Sequence, residues 1–321
     1  MLGIIKYLLI TSLLTLLMIG FPSISILTAI GWGSSLILAA VKLNRKQFLA
    51  VALFNIALLY VLAGASVLFY YLAFFGLSAL IIGLLANSGE QYSFIHKWGI
   101  TTAVIGVSLF IGVIYLSTGQ VGIGELEKQL TIYCEENIQQ LEQSGIIAMY
   151  EERGISKESL INSMKEMVEV TARHLPAFYY LQAILATFFM LLIVSFLCRK
   201  AGLERLIKRP YENEIMPWQF AWIVIAGLAF WLVGREEMNN LYYVGSNILV
   251  VIAPISVYYG LSVVVFKIRQ VKPEHRPWYT AALVTLSVLL LPSALIFFSV
   301  IGVFDSLMDF RKLRMEQEDG K

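Results

Sequence analysis

The residues of this chain with the most versatile chemistry are two cysteines and three histidines, and neither set is spaced to use it. His96, His174 and His275 stand apart from one another, with no HExxH pair or comparable ligand spacing, so no metal centre is expected. Cys134 lies in a polar stretch and Cys198 at the edge of an apolar run. They form no CxxC pair, which argues against a structural disulfide or a redox couple. There is no GxxxxGK loop followed by Ser or Thr to cradle a nucleotide, and no GxSxG nucleophile elbow. The pattern points away from an enzyme and requires no cofactor. If ATP energises this protein, another polypeptide hydrolyses it.

Neutral polar residues inside apolar runs carry the remaining chemistry. Asn55, Gln182 and Asn247 are amides in such runs, and an amide in hydrocarbon must find a hydrogen-bond partner, either on another helix or on a ligand. The richest local group is Tyr242-Tyr243-Val244-Gly245-Ser246-Asn247. It combines amphipathic aromatic walls, a close-approach glycine and an amide. Pro254, further along the same run, can free a carbonyl, and Arg235, Glu236 and Glu237 lie at the same mouth. Asn247, Tyr242, Tyr243 and Gly245, with Asn55 and Gln182, are therefore the candidate solute-cavity residues.

The elements that must position them are membrane spans. A hydrophobic share of 58% against 14% charged residues cannot be hidden by a water-soluble fold of 321 residues. The expected fold is all-α, a polytopic transmembrane helical bundle with about nine spans and a partly helical extracytoplasmic insertion. The spans run approximately over Ile4–Met18, Ile24–Val41, Phe48–Val61, Val67–Leu85, Gly99–Ser117, Pro176–Leu197, Trp218–Val233, Val244–Phe266 and Tyr279–Val303. Gly64-Ala65-Ser66 is either a tight turn between two spans or a break in one longer tilted helix. Residues 1–117 thus form a five-span region, 118–175 an acidic insertion, 176–303 a four-span region and 304–321 a polar tail.

Placing the N-terminus in the cytoplasm puts most basic residues inside, from Lys6, Lys42, Arg45 and Lys97 through Arg199, Arg205 and Arg209 to Lys267 and Arg276. Few face outward, Lys128, Arg153 and Arg235 among them. The tail is the misfit. Nine complete spans leave Arg311, Lys312 and Arg314 outside, so either one span is miscounted or the last run, interrupted at Pro292, does not cross simply. Within the chosen spans no ionisable residue appears after Lys6, which disfavours a carboxylate proton relay. The insertion is acid-rich. Its second half carries a helical stripe of Leu160, Met164 and Met167 behind Ser156 as N-cap, expected to pack over the bundle surface or to act as a lid. Small-residue pairs such as Ala29 with Gly33 and Ala79 with Gly83 permit close helix contact.

Several words of sequence resemble the YybS-like family of bacterial multi-pass membrane proteins. They are the early Phe21-Pro22 break, Gly245-x-Asn247 with Gly260-Leu261-Ser262, and Gly302-Val303-Phe304-Asp305-Ser306 followed by Asp309-Phe310-Arg311-Lys312. That family is distantly similar to the substrate-capturing S components of energy-coupling-factor transporters. The resemblance implies a transport-related role in the bacterial cytoplasmic membrane, with a small solute captured outside and a coupling protein and ATPase subunits as partners. S components commonly have six spans and an Ala-x-x-x-Ala word near the start, and the first helix here lacks that word. Nothing in the chain points to nucleic acid. The expectation is a small-solute-binding or transport component without its own ATPase; the alternative is a non-transporting membrane scaffold or envelope-assembly factor.

Overall fold

A computed structural model describes residues 2–118, 123–152, 154, 156–203, 206–208, 210–236 and 239–311. Arg153, Arg205, Arg209, Glu237, Lys312 and Arg314 lie outside the described residues. All regular elements among the described residues are helices. Seven helical runs there are long and apolar enough to cross a membrane. Large side chains such as Leu9, Leu53, Val61 and Phe196 are exposed on their outer faces, as a bundle bathed in lipid requires. The chain divides into two compact units, Met1–Lys208 and Arg209–Lys321.

In the first unit, α1 (Leu2–Gly20), α2 (Ser25–Lys42), α3 (Arg45–Tyr71), a π-helical segment (Leu72–Gly76), α4 (Leu77–Asn87) and α5 (Tyr92–Thr118) follow one another. Asn44 caps α3 by accepting a hydrogen bond from the Gln47 amide at 2.9 Å. The stretch from Arg45 to Asn87 is helical almost throughout, but Gly64 sits at φ 81°, ψ 177°, outside the helical region and open chiefly to glycine. A straight helix would hold Phe48 and Gly83 about 50 Å apart. They touch instead, since a Cβ on Gly83 would lie 2.7 Å from the Phe48 ring. The chain therefore doubles back at Gly64, and the Gly64-Ala65-Ser66 word is a hairpin turn between two spans. The small pairs read from sequence face neighbouring helices: Gly33 lies against Ala79 and Met190, and Gly83 against Ala40.

The acidic insertion departs from the lid or surface cover expected of it. It comprises α6 (Ile123–Gln143), α7 (Ile146–Glu152) and the first half of α8 (Lys157–Lys200), a single helix of 44 residues capped by Ser156. At 1.5 Å per residue α8 is about 66 Å long, roughly twice the hydrocarbon thickness, so its amphipathic half continues the span as a projecting arm. Leu160, Ile161, Met164 and Val168 pack on Cys134, Ile138, Leu141 and Ile147. The stripe's partner is thus the rest of the insertion, and Met167 is exposed.

The second unit contains α9 (Gln219–Val233), α10 (Asn240–Gln270), α11 (Arg276–Leu289) and α12 (Leu291–Met308). Here the expected span over Tyr279–Val303 is corrected. Leu290 leaves the helical region at φ −118°, ψ 44°, with Pro292 in the first turn beyond it, and the run splits into α11 and α12. Helices α10 and α12 cross where Gly260 meets Phe298 and Gly302 meets Ser256. They leave that crossing in the same direction, because residues following each glycine meet again: Arg311 touches Ser262 and lies over the Phe266 ring. Two parallel helices in sequence require the chain to travel back between them, and α11 is that return. Residues 309–311 consequently lie at the same end of the unit as Lys267 and Arg269.

Candidate functional site

Asn55 is fully buried on α3 and joins three helices. Its Nδ2 donates to Thr11 Oγ1 and to the Val51 carbonyl, both at 2.8 Å, while Trp32 Nε1 donates to its Oδ1 at 3.2 Å. Trp32, the one tryptophan deep in a span, is there because the amide gives its N–H a partner. With both ends of the amide engaged by protein, helix adhesion accounts for Asn55. Replacing Asn55 with Leu is expected to orphan the Trp32 and Thr11 groups and to cost about 1–2 kcal/mol, read as a lower melting temperature in detergent.

Gln182 on α8 lies in a different setting. Its Nε2 donates to the Tyr70 hydroxyl at 2.7 Å, and both residues are only half-buried. Around them the rings of Tyr70, Phe74, Phe110 and Tyr179 pack at centroid distances of 4.6 to 5.9 Å. On the neighbouring turns the hydroxyls of Tyr180 and Ser108 lie 2.9 Å apart. The face is shared by the end of α3, α5, α8 and the π-helical segment, which contributes Phe74. The segment's wider turn lets α5 approach so closely that a Cβ on Gly106 would sit 2.2 Å from the Ala73 carbonyl oxygen. Sequence reading singled out Gln182 but neither Tyr70 nor Tyr179, because the helix register that unites them depends on the π turn.

In the second unit, Gly245 brings α10 against α9, where an added Cβ would lie 2.3 Å from the Trp231 nitrogen and 2.7 Å from the Gly227 oxygen. Tyr242 packs beside Trp231 and edge-on to Tyr243. Asn247 Nδ2 donates to the Tyr243 carbonyl at 2.7 Å, one turn back in its own helix. These four residues share one end of α10; Asn55 and Gln182 belong to the other unit.

A group that sequence reading missed is the most polar buried assembly of the second unit. Arg311 is wholly buried, and all five of its N–H donors are used. Nε and Nη2 reach Asp305 Oδ2 at 3.2 and 2.7 Å, Nη1 reaches the Glu212 carbonyl and Ser262 Oγ at 2.6 and 2.8 Å, and Nη2 reaches the Glu214 carbonyl at 2.6 Å. Tyr211 donates to the Tyr258 carbonyl at 2.6 Å, Tyr258 donates to Glu214 Oε2 at 2.5 Å, and Arg269 pairs with Glu212. Burial, with the Glu214 carboxylate nearby, pushes the Tyr211 hydroxyl up to about 12, so it remains a donor across the physiological range. A guanidinium with every donor occupied cannot also clamp a soluble anion. It ties the 211–214 loop, α10, α12 and the chain beyond α12 into one body. Asp305 Oδ1 is the one buried side-chain oxygen or nitrogen without a hydrogen-bond partner among the described residues.

No group of three or more metal-ligating side chains occurs among the described residues. No curated protein and no solved structure matches the chain. A family model described as "Predicted membrane protein (DUF2232)" matches residues 9–306, nearly the whole helical body from α1 to Ser306 in α12. The seven apolar helical runs fit that description, and the chain belongs to this family of membrane proteins.

Proposed function

We propose that this protein is a membrane-embedded small-solute-binding component that works with a separate coupling protein and ATPase subunits, and that the solute is held in the first unit against Tyr70, Tyr179 and Gln182. The observation that carries the reading is the half-buried Gln182–Tyr70 pair, a donor–acceptor couple set in aromatic walls beside a π-helical turn. Such turns are frequent at functional sites, and convergent polar groups in an apolar wall are what a small ligand needs. The chemistry favours a compact, partly aromatic or aliphatic solute with one hydrogen-bonding edge. The Tyr242, Tyr243, Gly245 and Asn247 end of α10 is the second candidate mouth.

In this reading the N-terminus is cytoplasmic in a bacterial inner membrane. The return of α11 supports it, because Arg311, the described base of the C-terminal cluster, then lies at the same end of the second unit as Lys267 and Arg269 rather than at the opposite one. One observation favours a scaffold role instead: the arm formed by α6, α7 and the first half of α8 projects beyond the span and offers a docking element.

The two readings separate on purification in native lipid followed by mass spectrometry. The solute reading expects a retained small molecule, and Gln182→Leu should weaken its binding about tenfold, the equivalent of one lost hydrogen bond. Asn55→Leu should lower the melting temperature and leave affinity unchanged. Equal affinity in Gln182→Leu and the parent protein would sink the site. Recovery of envelope-assembly proteins with no retained solute would favour the scaffold.

A further inference from the structure

One end of the first unit carries a basic rim whose charges pair with no carboxylate among the described residues. A single apolar cluster there gathers Val41, Ala86, Ile95, Cys198 and Leu206, the ends of α2, α4, α5 and α8. Asn87 locks the same end by donating to the Ala40 and Leu43 carbonyls at 2.7 and 3.0 Å, and α1 starts there, with Gly3 against Leu43. The residues next in sequence to these contacts are Lys42, Arg45, Lys46, Lys97, Arg199 and Lys200, all exposed. None of the six forms an ion pair among the described residues, and Glu90 is the one described carboxylate in the adjoining turns. Beside Lys97 the exposed rings of Phe94 and Trp98 pack at a tilt along the first turns of α5 with centroids 6.1 Å apart. An exposed indole next to lysine is the pairing that sits at the boundary between acyl chains and headgroups. Such a pairing is what a rim at lipid headgroup level presents.

We propose that this rim is a binding surface for anionic phospholipid headgroups, with the bases of α2, α3, α5 and α8 receiving the phosphates and Phe94 and Trp98 covering the adjoining glycerol and acyl chains. Six bases stand there against one described carboxylate, none of the six is ion-paired among the described residues, and each base near an anionic surface adds attraction that screening limits to about a Debye length. The surface does not depend on the solute site, since the two share no residue.

The test uses the full-length protein in nanodiscs made with mixed phosphatidylglycerol and phosphatidylcholine, with bound lipid counted by native mass spectrometry. Retained phosphatidylglycerol should exceed its share of the mixture. The triple substitution Lys42→Gln, Arg45→Gln, Lys46→Gln should reduce that preference at least tenfold, while Lys128→Gln with Lys165→Gln on the projecting arm leaves it intact. Melting temperatures in pure phosphatidylcholine must match for the variants, which separates lost binding from lost folding. Competition by millimolar glycerol phosphate, with no preference for the intact lipid, would overturn the lipid assignment in favour of a soluble phosphate. Unchanged enrichment in the triple variant would overturn the rim, as would enrichment of an acidic protein there in place of lipid.

Discussion

Arg311→Met is expected to lose about 3–5 kcal/mol of stability, among the largest effects of any single substitution outside the helix crossings. The guanidinium is fully buried and saturated with five hydrogen bonds, so its removal leaves Asp305 charged and unpaired at a site where its other oxygen already lacks a donor. The Glu212 and Glu214 carbonyls and the Ser262 hydroxyl lose a donor at the same time. Methionine keeps the apolar stem of arginine, which separates the charge from the packing. The double variant Asp305→Leu with Arg311→Met should be less damaged than Arg311→Met alone, because no buried charge remains uncompensated. Thermal unfolding of both variants in detergent decides the matter. A single variant within about 0.5 kcal/mol of the parent would mean that the pair is solvated rather than buried, since surface pairs contribute little.

The sequence made the class of the protein legible because lipid allows so few solutions: long apolar runs must be helices, and their edges are marked by Lys, Arg and Trp. The hairpin at Gly64 was half legible. The glycine was visible, but whether it turned the chain back depended on Phe48 meeting Gly83, a contact that no local pattern contains. The insertion's apolar stripe was legible and its partner was not, because α6 and the bundle surface offer similar apolar faces. Arg311 was read only as one of the tail bases that nine spans would leave on the wrong side of the membrane, not as a buried group. Six positions separate it from Asp305, beyond the three-to-four spacing of a helical pair, and only the left-handed turn at Asp309, φ 46°, brings it back. Of the candidate amides, Asn55 and Gln182 look identical in sequence. They differ only in that the protein surrounds one and leaves the other half open.

Gly260→Ala is expected to force α10 and α12 apart, at a cost of at least about 3 kcal/mol, above the usual range for overpacking. The reason is the identity of the atoms in the way. A Cβ on Gly260 would stand 1.8 Å from the Phe298 carbonyl oxygen and 3.0 Å from its Cα, and one on Gly302 would stand 2.2 Å from the Ser256 oxygen. Those are backbone atoms held in helical hydrogen bonds and cannot turn aside as a flexible side chain could. Contrast Gly33, whose added Cβ would meet chiefly the Met190 thioether, a movable group. Gly33→Ala should therefore be mild, although both glycines are buried at helix contacts. In a bilayer, helices gain little by hiding apolar surface from one another, so close backbone approach supplies much of the attraction that a Cβ would remove. The Arg311 network depends on this crossing, because Asp305 on α12 and Ser262 on α10 are bridged by one side chain. Displacing the helices by even 2 Å would break hydrogen bonds that now measure 2.6 to 2.8 Å. Gly260→Ala and Arg311→Met should consequently be non-additive, the double variant scarcely worse than Gly260→Ala alone. Apparent melting temperatures of the two single variants and the double, measured in one detergent, test this. Full additivity would show that the crossing and the network are independent.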